Sequence, residues 1–180
     1  MTTLILFNKP YGVICQFSPD KKHPTLKNFI NIPDVYPAGR LDTNSEGLLL
    51  LTNNGVFQHQ LSHPDHHLPK TYWVQVEGEP STKALAQMES GINLGNYTTR
   101  PAKVRRIPPP DIPPRNPPVR FRQSIPTSWL ELVLKEGKNR QVRHMTAKTG
   151  YPTLRLIRYS IGNYNIDNLK PGQWLEIRPT

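Results

Sequence analysis

Cysteine is almost absent from this sequence, and its single copy, Cys15, excludes an intramolecular disulfide and a metal cage built from thiolates. The sequence also lacks a secretory signal and a membrane-spanning run, because the apolar segment at residues 3–7 is too short for either. We therefore expect a protein of the reducing cytoplasm that does not associate with a membrane.

Acidic residues are the other scarce class, with 13 Asp and Glu against 23 Lys and Arg in 180 residues. The resulting net charge of +10 favours a polyanionic partner, because bound Lys and Arg release the counterions condensed on phosphates. Hydrophobic residues make up 36% of the chain, which is enough for a packed interior in one domain or in two small subdomains. Composition thus indicates nucleic acid or an acidic surface as the partner, but no reaction.

Short apolar stretches predict many strands and few helices. The predicted strands lie at residues 3–7, 48–52, 71–76, 98–107, 129–134, 154–161 and 174–177. For residues 48–52, the hydrophobic pattern alone does not distinguish a strand from the start of a helix. The predicted helices are a short one after Thr25, a second at 81–90 and a third at 139–149. Since strands and helices do not alternate regularly, we expect an α+β fold with a mainly antiparallel sheet.

Proline is concentrated between two of the predicted strands. Residues 108–118 hold seven of the 20 prolines, which prevents regular hydrogen bonding of a helix or sheet there. We interpret this segment as an exposed proline-rich surface loop. A recognition motif is the alternative, but segments of this composition are more often loops.

Three segments carry residues suited to chemistry. Asp42 lies in a loop bracketed by Gly39 and Gly47, where a carboxylate would be held rigidly, although spacing alone favours a simple turn. In the strand at 71–76, Tyr72 or Trp73 could stack on an unpaired base, whereas core packing is the more common role of such aromatics.

The third segment, residues 136–145, is basic. Lys138, Arg140, Arg143 and His144 lie at a predicted helix start, where free backbone N–H groups also attract anions. This pattern indicates either a phosphate site or a solvated basic face.

Five separated motifs together resemble the pseudouridine synthases, in the branch that modifies ribosomal RNA at single uridines. They are NKPYG (8–12), GRLDTNSEGLLLLTNNG (39–55), KTYWVQVEG (70–78), EGKNRQVRHM (136–145) and LIRYSIG (156–162). The resemblance covers nearly the whole chain in the family's order. It implies a mixed, mainly antiparallel sheet with flanking helices and a central basic cleft. The implied function is isomerisation of a uridine to pseudouridine in 23S ribosomal RNA, and we expect a monomer.

The resemblance also assigns roles to residues. Asp42 would attack C1′ of the ribose or take its 2′ proton, Arg143 would pair with this carboxylate, and Tyr72 would stack on the extracted uracil. Leu156 or Ile157 would form an apolar wall behind the base. Arg40 could fill the space that the flipped base leaves or contact a phosphate. The residues expected to bind RNA are Arg40, Lys70, Lys138, Arg140, His144 and Arg158.

No cofactor is expected, since the isomerisation needs neither redox change nor phosphate energy, and the sequence lacks a Walker A loop and a dinucleotide fingerprint. Members of this branch commonly carry an N-terminal RNA-binding domain of the S4 type. Here the first catalytic strand begins by Leu4, so we expect a single catalytic domain over residues 1–180 and no S4 domain. Residues 44–45 are Asn-Ser where relatives often have an acidic residue and Thr. The alternative function is a non-catalytic RNA-binding or ribosome-assembly factor.

Four histidines have spacing that could suit zinc: His59, His63, His66 and His67. No cysteine or glutamate completes a known ligand motif, and Pro64 and Pro69 would interrupt the helix that presents them. We therefore favour a polar surface loop over a metal site.

Overall fold

A computed structural model describes residues 1–66 and 68–179 of the chain. The chain divides into two compact units. The first unit comprises Met1–Leu68 and Arg158–Thr180, and the second comprises Pro69–Ile157. Within the part that the structure describes, no helix is long and apolar enough to cross a lipid bilayer.

Strands predominate among the described elements. The strands are β1 (Leu4–Lys9), β2 (Tyr36–Pro37), β3 (Glu46–Thr52), β4 (Lys70–Glu77), β5 (Lys103–Ile107), β6 (Thr127–Leu134), β7 (Thr153–Ile161), β8 (Tyr164–Asn165) and β9 (Trp174–Ile177). The α-helices are α1 (Gly55–Ser62), α2 (Thr82–Ser90) and α3 (Gln141–Lys148), and short 3₁₀ turns lie at Leu26–Asn28 and Pro64–His66. The predicted α+β class with a mainly antiparallel sheet is confirmed.

In the first unit, β1 pairs antiparallel with β3 on one side and with β9 on the other, and β2 pairs with β3. Every residue of β1 and β3 is buried. This explains the run of four leucines at 48–51, since a strand covered on both faces has no polar side to alternate with. Ile5, Phe7, Leu49 and Leu51 belong to one apolar core with Leu26 from the first 3₁₀ turn.

In the second unit, β6 pairs antiparallel with β4 and with β5. The strand predicted at 71–76 is confirmed as β4, and burial alternates along it: Tyr72, Val74 and Val76 are buried, while the residues between them are half-buried. The predicted helix at 81–90 is also confirmed, because the Ser81 hydroxyl accepts from the Ala84 N–H at 3.1 Å and α2 ends at Gly91.

Several boundaries differ from the prediction, and strands β3 and β6 each begin two residues earlier than predicted. Strand β1 continues through Asn8 and Lys9, beyond the predicted end at residue 7. Strand β5 begins only at Lys103, and Thr98 makes just an isolated bridge with Asn93. Helix α3 begins at Gln141 because the backbone of the preceding residue is left-handed, with φ of 53°.

Helix α1 was not predicted. Asn54 caps it by accepting a hydrogen bond from the Phe57 N–H at 3.1 Å, and Leu61 is its single buried residue. The helix therefore has almost no apolar stripe that a periodicity search could detect. It ends at Ser62, before Pro64, as expected from that proline.

Residues 108–118 form neither helix nor strand, and most of them are exposed. Two hydrogen bonds nevertheless connect this proline-rich loop to β7. Arg155 donates from Nη2 to the Pro113 carbonyl at 3.0 Å, and Arg115 donates from Nη1 to the Leu154 carbonyl at 3.4 Å.

Candidate active site

The loop that carries Asp42 is held at four consecutive backbone carbonyls. The Arg40 carbonyl accepts a hydrogen bond from Arg158 Nη1 at 3.3 Å, and the Leu41 carbonyl accepts one from Cys15 Sγ at 3.0 Å. The Asp42 carbonyl accepts from the Ser45 N–H at 3.0 Å, and the Thr43 carbonyl accepts from the Gly12 N–H at 2.8 Å. Asp42 itself is half-buried. Because each peptide around Asp42 is fixed, its carboxylate is presented from a backbone with little freedom to move.

Lys9 lies in the interior next to this loop and is completely buried. Its ammonium donates to the carbonyls of Pro10 (2.9 Å), Val13 (2.8 Å) and Thr43 (3.3 Å). Burial lowers the pKa of Lys9 to about 8, although the charges of Cys15, Glu46 and Asp42 oppose that shift. The ammonium therefore lies within the electrostatic field of Asp42, and it holds the same loop through Thr43.

Arg158 was expected to contact RNA; this stays a prediction, and the structure shows what the side chain contacts within the protein. Its side chain is buried, with 5% of the residue exposed, and donates from Nε to the Leu48 carbonyl at 2.9 Å and from Nη1 to the Arg40 carbonyl. A guanidinium enclosed in this way has little surface to offer a phosphate. Its structural role is to hold the start of the Asp42 loop against strand β3.

Gly47 makes this arrangement possible. Its φ is +107°, and a Cβ added there would lie 2.2 Å from the backbone oxygen of Arg158. Only glycine fits both the left-handed backbone and the close approach of β7.

Tyr72 lies in the apolar core of the second unit, where it is 8% exposed. The same core contains Leu156 from β7 and Val142 from α3. The structure thus places Tyr72 and Leu156 in one cluster, with Ile157 also buried.

The basic segment before and within α3 is mostly exposed. Glu136 organises it from the interior, because its Oε1 accepts from Gln141 Nε2 at 2.8 Å and from the Arg100 N–H at 2.7 Å. Gln141 in turn accepts a hydrogen bond from the Lys138 N–H at 3.2 Å. Lys138 extends its ammonium to 4.9 Å from the centre of the Tyr97 ring.

The predicted site residues therefore differ widely in exposure. Exposed are Arg40, Lys138, Arg140 and His144; half-buried are Asp42, Lys70 and Arg143; buried are Tyr72, Leu156, Ile157 and Arg158. Sequence reasoning gave no role to Lys9, Cys15, Glu136, Gln141 or Tyr97. For Lys9 a signal existed, namely a cation directly after an apolar strand and inside a quoted motif.

The histidines form a cluster of rings instead of a recognisable ligand set. The ring centres of His59 and His63 lie 4.3 Å apart, and His66 lies 5.6 Å and 6.2 Å from them. His67 lies outside the described residues. Across residues 1–66 and 68–179, no group of three or more His, Cys, Asp or Glu side chains is arranged to hold a metal ion.

Comparison with known proteins agrees with the motifs. Residues 3–148 match the family model described as RNA pseudouridylate synthase. The chain is 55% identical over 171 residues to ribosomal large subunit pseudouridine synthase E of Xanthomonas axonopodis pv. citri, covering 93% of this chain and 90% of that protein. It is 52% identical over 175 residues to the protein of the same name from Vibrio parahaemolyticus, covering 97% of this chain and 74% of that protein.

A comparison with a solved structure supports the same family for the fold. A crystal structure of a pseudouridylate synthase superposes with a TM-score of 0.80 and 27% identity, over 99% of this chain and 71% of that chain. The match extends over both units of the fold and over more than half of the sequence. The chain therefore belongs to the RNA pseudouridylate synthase family.

Proposed function

We propose that this protein isomerises a uridine to pseudouridine in the 23S RNA of the large ribosomal subunit. The observation that carries the proposal is identity above 50% to relatives named for this activity, over most of the length of both chains. Ribosomal RNA as substrate accounts for the net charge of +10 and locates the reaction in the cytoplasm.

The reaction is an internal rearrangement. The N1–C1′ bond breaks, the uracil turns, a C5–C1′ bond forms, C5 loses its proton and N1 gains one. Atoms and electrons balance without an oxidant, a reductant or a phosphate donor. The protein must therefore supply a carboxylate at the ribose, a place for the base to turn and a route for one proton.

Asp42 is the carboxylate that we assign to the ribose. It could attack C1′ and form a covalent ester, or remove the 2′ proton and give a glycal, and both routes require an ionised group at a fixed position. The four anchored carbonyls of residues 40–43 supply that fixed position.

The remaining roles follow the motifs. Tyr72 is assigned to stack on the uracil, Leu156 and Ile157 to the apolar wall of its pocket, and Arg143 to pair with the reacting carboxylate. A uridine in a stacked helix is out of reach of Asp42, so the base must flip out, at a cost of a few kcal/mol. The basic residues assigned to RNA are Arg40, Lys70, Lys138, Arg140 and His144.

The decisive test replaces Asp42 by Asn, which keeps the size of the side chain but cannot act as nucleophile or base. We expect Asp42→Asn to bind unmodified 23S RNA with unchanged affinity and to form no pseudouridine. The matched control is Asp65→Asn, which removes an exposed carboxylate from the same unit and should retain full activity.

Two results would contradict the proposal. If Asp42→Asn retained activity within about tenfold of the parent, a barrier change of only ~1.4 kcal/mol, Asp42 would not be the reacting group. If the parent protein bound 23S RNA but modified no uridine in it, the enzyme assignment would fail and the non-catalytic alternative would stand.

A further inference from the structure

A groove of about 870 Å³ lies in the second unit, outside the three residues assigned to catalysis. Its lining residues come from the turn after α2, the loop before α3 and one face of α3: Leu94, Asn96, Tyr97, Lys138, Asn139, His144, Ala147 and Lys148. The volume falls within the range of ~300–1,000 Å³ typical of pockets that hold small ligands. The groove is thus large enough for a nucleotide.

The charge of the groove is of one sign. Lys138, His144 and Lys148 are all exposed, and none of the lining residues carries a carboxylate. Glu136 is the carboxylate whose charge acts on Tyr97, but it is buried and occupied by the hydrogen bonds from Arg100 and Gln141. An anion in the groove would therefore meet attraction without an opposing exposed carboxylate among the lining residues.

The position of these groups is built into the fold. His144 and Lys148 lie four residues apart on α3, so their side chains project from the same face. On the opposite wall, the Leu94 N–H donates to the Tyr97 carbonyl at 2.8 Å and closes a tight turn. The Gly95 N–H donates to Asn93 Oδ1 at 2.8 Å within that turn.

Tyr97 is the second, independent feature of the groove. Its ring lies 4.9 Å from the Lys138 ammonium, so the aromatic face and the cation are presented together. Its hydroxyl is buried and has no hydrogen-bond partner among the residues that the structure describes. Burial also raises the pKa of Tyr97, so the phenol stays protonated and can donate. If residue 97 served packing alone, phenylalanine would do as well as tyrosine, because an unpaired buried hydroxyl destabilises the fold.

We propose that this groove binds one unpaired nucleotide of the RNA substrate other than the uridine that is modified. The phosphate lies between Lys138, His144 and Lys148, and the base or ribose contacts Tyr97. Single-stranded RNA offers a phosphate next to an unstacked base, which matches a groove that holds cations next to an aromatic ring. A protein surface does not offer this pair of groups. The choice of RNA as the ligand rests on the proposed function. The shape and the charge of the groove do not depend on that proposal.

Lys148→Gln tests the charge of the groove, and Lys83→Gln is its matched control. Both lysines are exposed on helices of the second unit, but only Lys148 lines the groove. We expect Lys148→Gln to weaken equilibrium binding of 23S RNA three- to tenfold near physiological salt. It should also reduce the slope of log K against log salt by about 0.7 to 1, the value of one phosphate contact. Lys83→Gln should change affinity less than twofold.

Tyr97 is tested by substitution and by crosslinking. Tyr97→Leu should raise KM for pseudouridine formation in 23S RNA by a larger factor than it changes kcat, and Tyr97→Phe, which keeps the ring but removes the hydroxyl, should restore only part of that loss. Ultraviolet irradiation with RNA carrying 5-iodouridine should give a crosslinked peptide that contains Tyr97 in the otherwise unaltered protein. This second readout does not depend on whether Tyr97→Leu folds well.

The outcomes separate the groove from the function. If the parent protein forms pseudouridine, while Lys148→Gln matches Lys83→Gln in affinity and salt slope and no crosslink reaches Tyr97, the groove proposal is wrong and the function stands. If the parent forms no pseudouridine yet crosslinks at Tyr97 and loses affinity through Lys148→Gln, the groove binds RNA and the proposed function fails.

Discussion

The least expected residue in this protein is Lys9, a lysine without solvent exposure in the strand next to the Asp42 loop. Removing an ammonium from water is expensive unless polar groups replace the water. Three backbone carbonyls do so here, and one of them belongs to Thr43 beside Asp42. The lysine thus links the position of the candidate catalytic loop to the stability of the first unit.

The lowered pKa of Lys9 leads to a prediction about pH. In the unfolded chain the amine keeps its proton up to about pH 10.5, whereas in the folded protein it does so only to about pH 8. Between these values unfolding takes up a proton, so the free energy of unfolding should rise with pH. The shift of about 2.5 units corresponds to ~3 kcal/mol.

Urea denaturation of the parent and of Lys9→Met measures this effect. The difference in unfolding free energy between the two should grow in favour of the parent by about 2–3 kcal/mol from pH 7.5 to pH 10.5. Other titrating groups are common to both proteins and cancel in the difference. Lys21→Met, which removes an exposed lysine, should show no such trend. A pH-independent difference for Lys9→Met would mean that the buried amine keeps an ordinary pKa.

Gly47 gives a second prediction at this scale. Gly47→Ala forces a Cβ to 2.2 Å from a backbone oxygen at a left-handed φ, so we expect a loss of at least about 2 kcal/mol in unfolding free energy. Gly55→Ala is the control, because open space surrounds that position at the start of α1. Alanine there should be neutral or stabilise by up to ~1 kcal/mol. Similar denaturation midpoints for the two variants would contradict the proposed close approach.

How well individual residues could be predicted depended on burial. The spacing of the residues left Asp42 and Tyr72 as candidates only, and their predicted roles come from the resemblance. The burial of Arg158 could not be predicted, because a sequence shows that a residue is basic but not whether its guanidinium is enclosed. The partners of Lys9 are carbonyls that are scattered along the chain and that have no side-chain signature.

At the scale of elements, patterns were reliable where packing and local preference agree. Strand β4 alternates because one of its faces is buried, and β3 is uniformly apolar because both of its faces are buried. Helix α1 escaped prediction because capping by Asn54 defines it better than any apolar stripe. Strand β5 was predicted too long, since residues 98–102 have strand-like composition without a partner strand beyond one bridge.

The proline-rich loop allows a prediction for a whole element. Replacing residues 108–118 by a short Gly-Ser connection removes the hydrogen bonds that Pro113 and Arg115 make with β7. It does not remove any residue of the buried core clusters. We expect a loss of about 1–3 kcal/mol in unfolding free energy and a retained antiparallel pairing of β5 with β6. Circular dichroism and urea denaturation check both.

A single substitution within the proline-rich loop is the matched control for the loop replacement. Arg115→Gln removes the hydrogen bond to the Leu154 carbonyl and those to the Pro117 and Pro118 carbonyls while keeping the prolines, so it should account for part of the loss and no more. A collapse of the cooperative transition in the loop replacement would instead show that the segment is required for folding of the second unit.

At the scale of the whole molecule, the charge of +10 is the property that no single motif explains. The basic residues assigned to RNA are contributed by both units, from Arg40 to His144. Basic side chains that bind phosphates act mainly by releasing counterions, which makes affinity steeply dependent on salt. Charge should therefore control how tightly RNA is bound, and much less how fast the bound uridine reacts.

This separation can be measured with the intact protein and unmodified 23S RNA. If four to six phosphates are neutralised, log K should fall against log salt with a slope between about −3 and −5. Single-turnover rates at saturating RNA should change little over the same range, because salt acts mainly on the phosphate contacts, whereas the step proposed for Asp42 depends on the anchored loop that carries it. Magnesium must be held constant throughout, so that the RNA keeps its fold. A slope shallower than about −1 would show that the excess charge serves something other than RNA binding. If instead the saturated rate also fell with salt, some phosphate contacts would be formed or strengthened in the transition state in addition to those that hold the bound RNA.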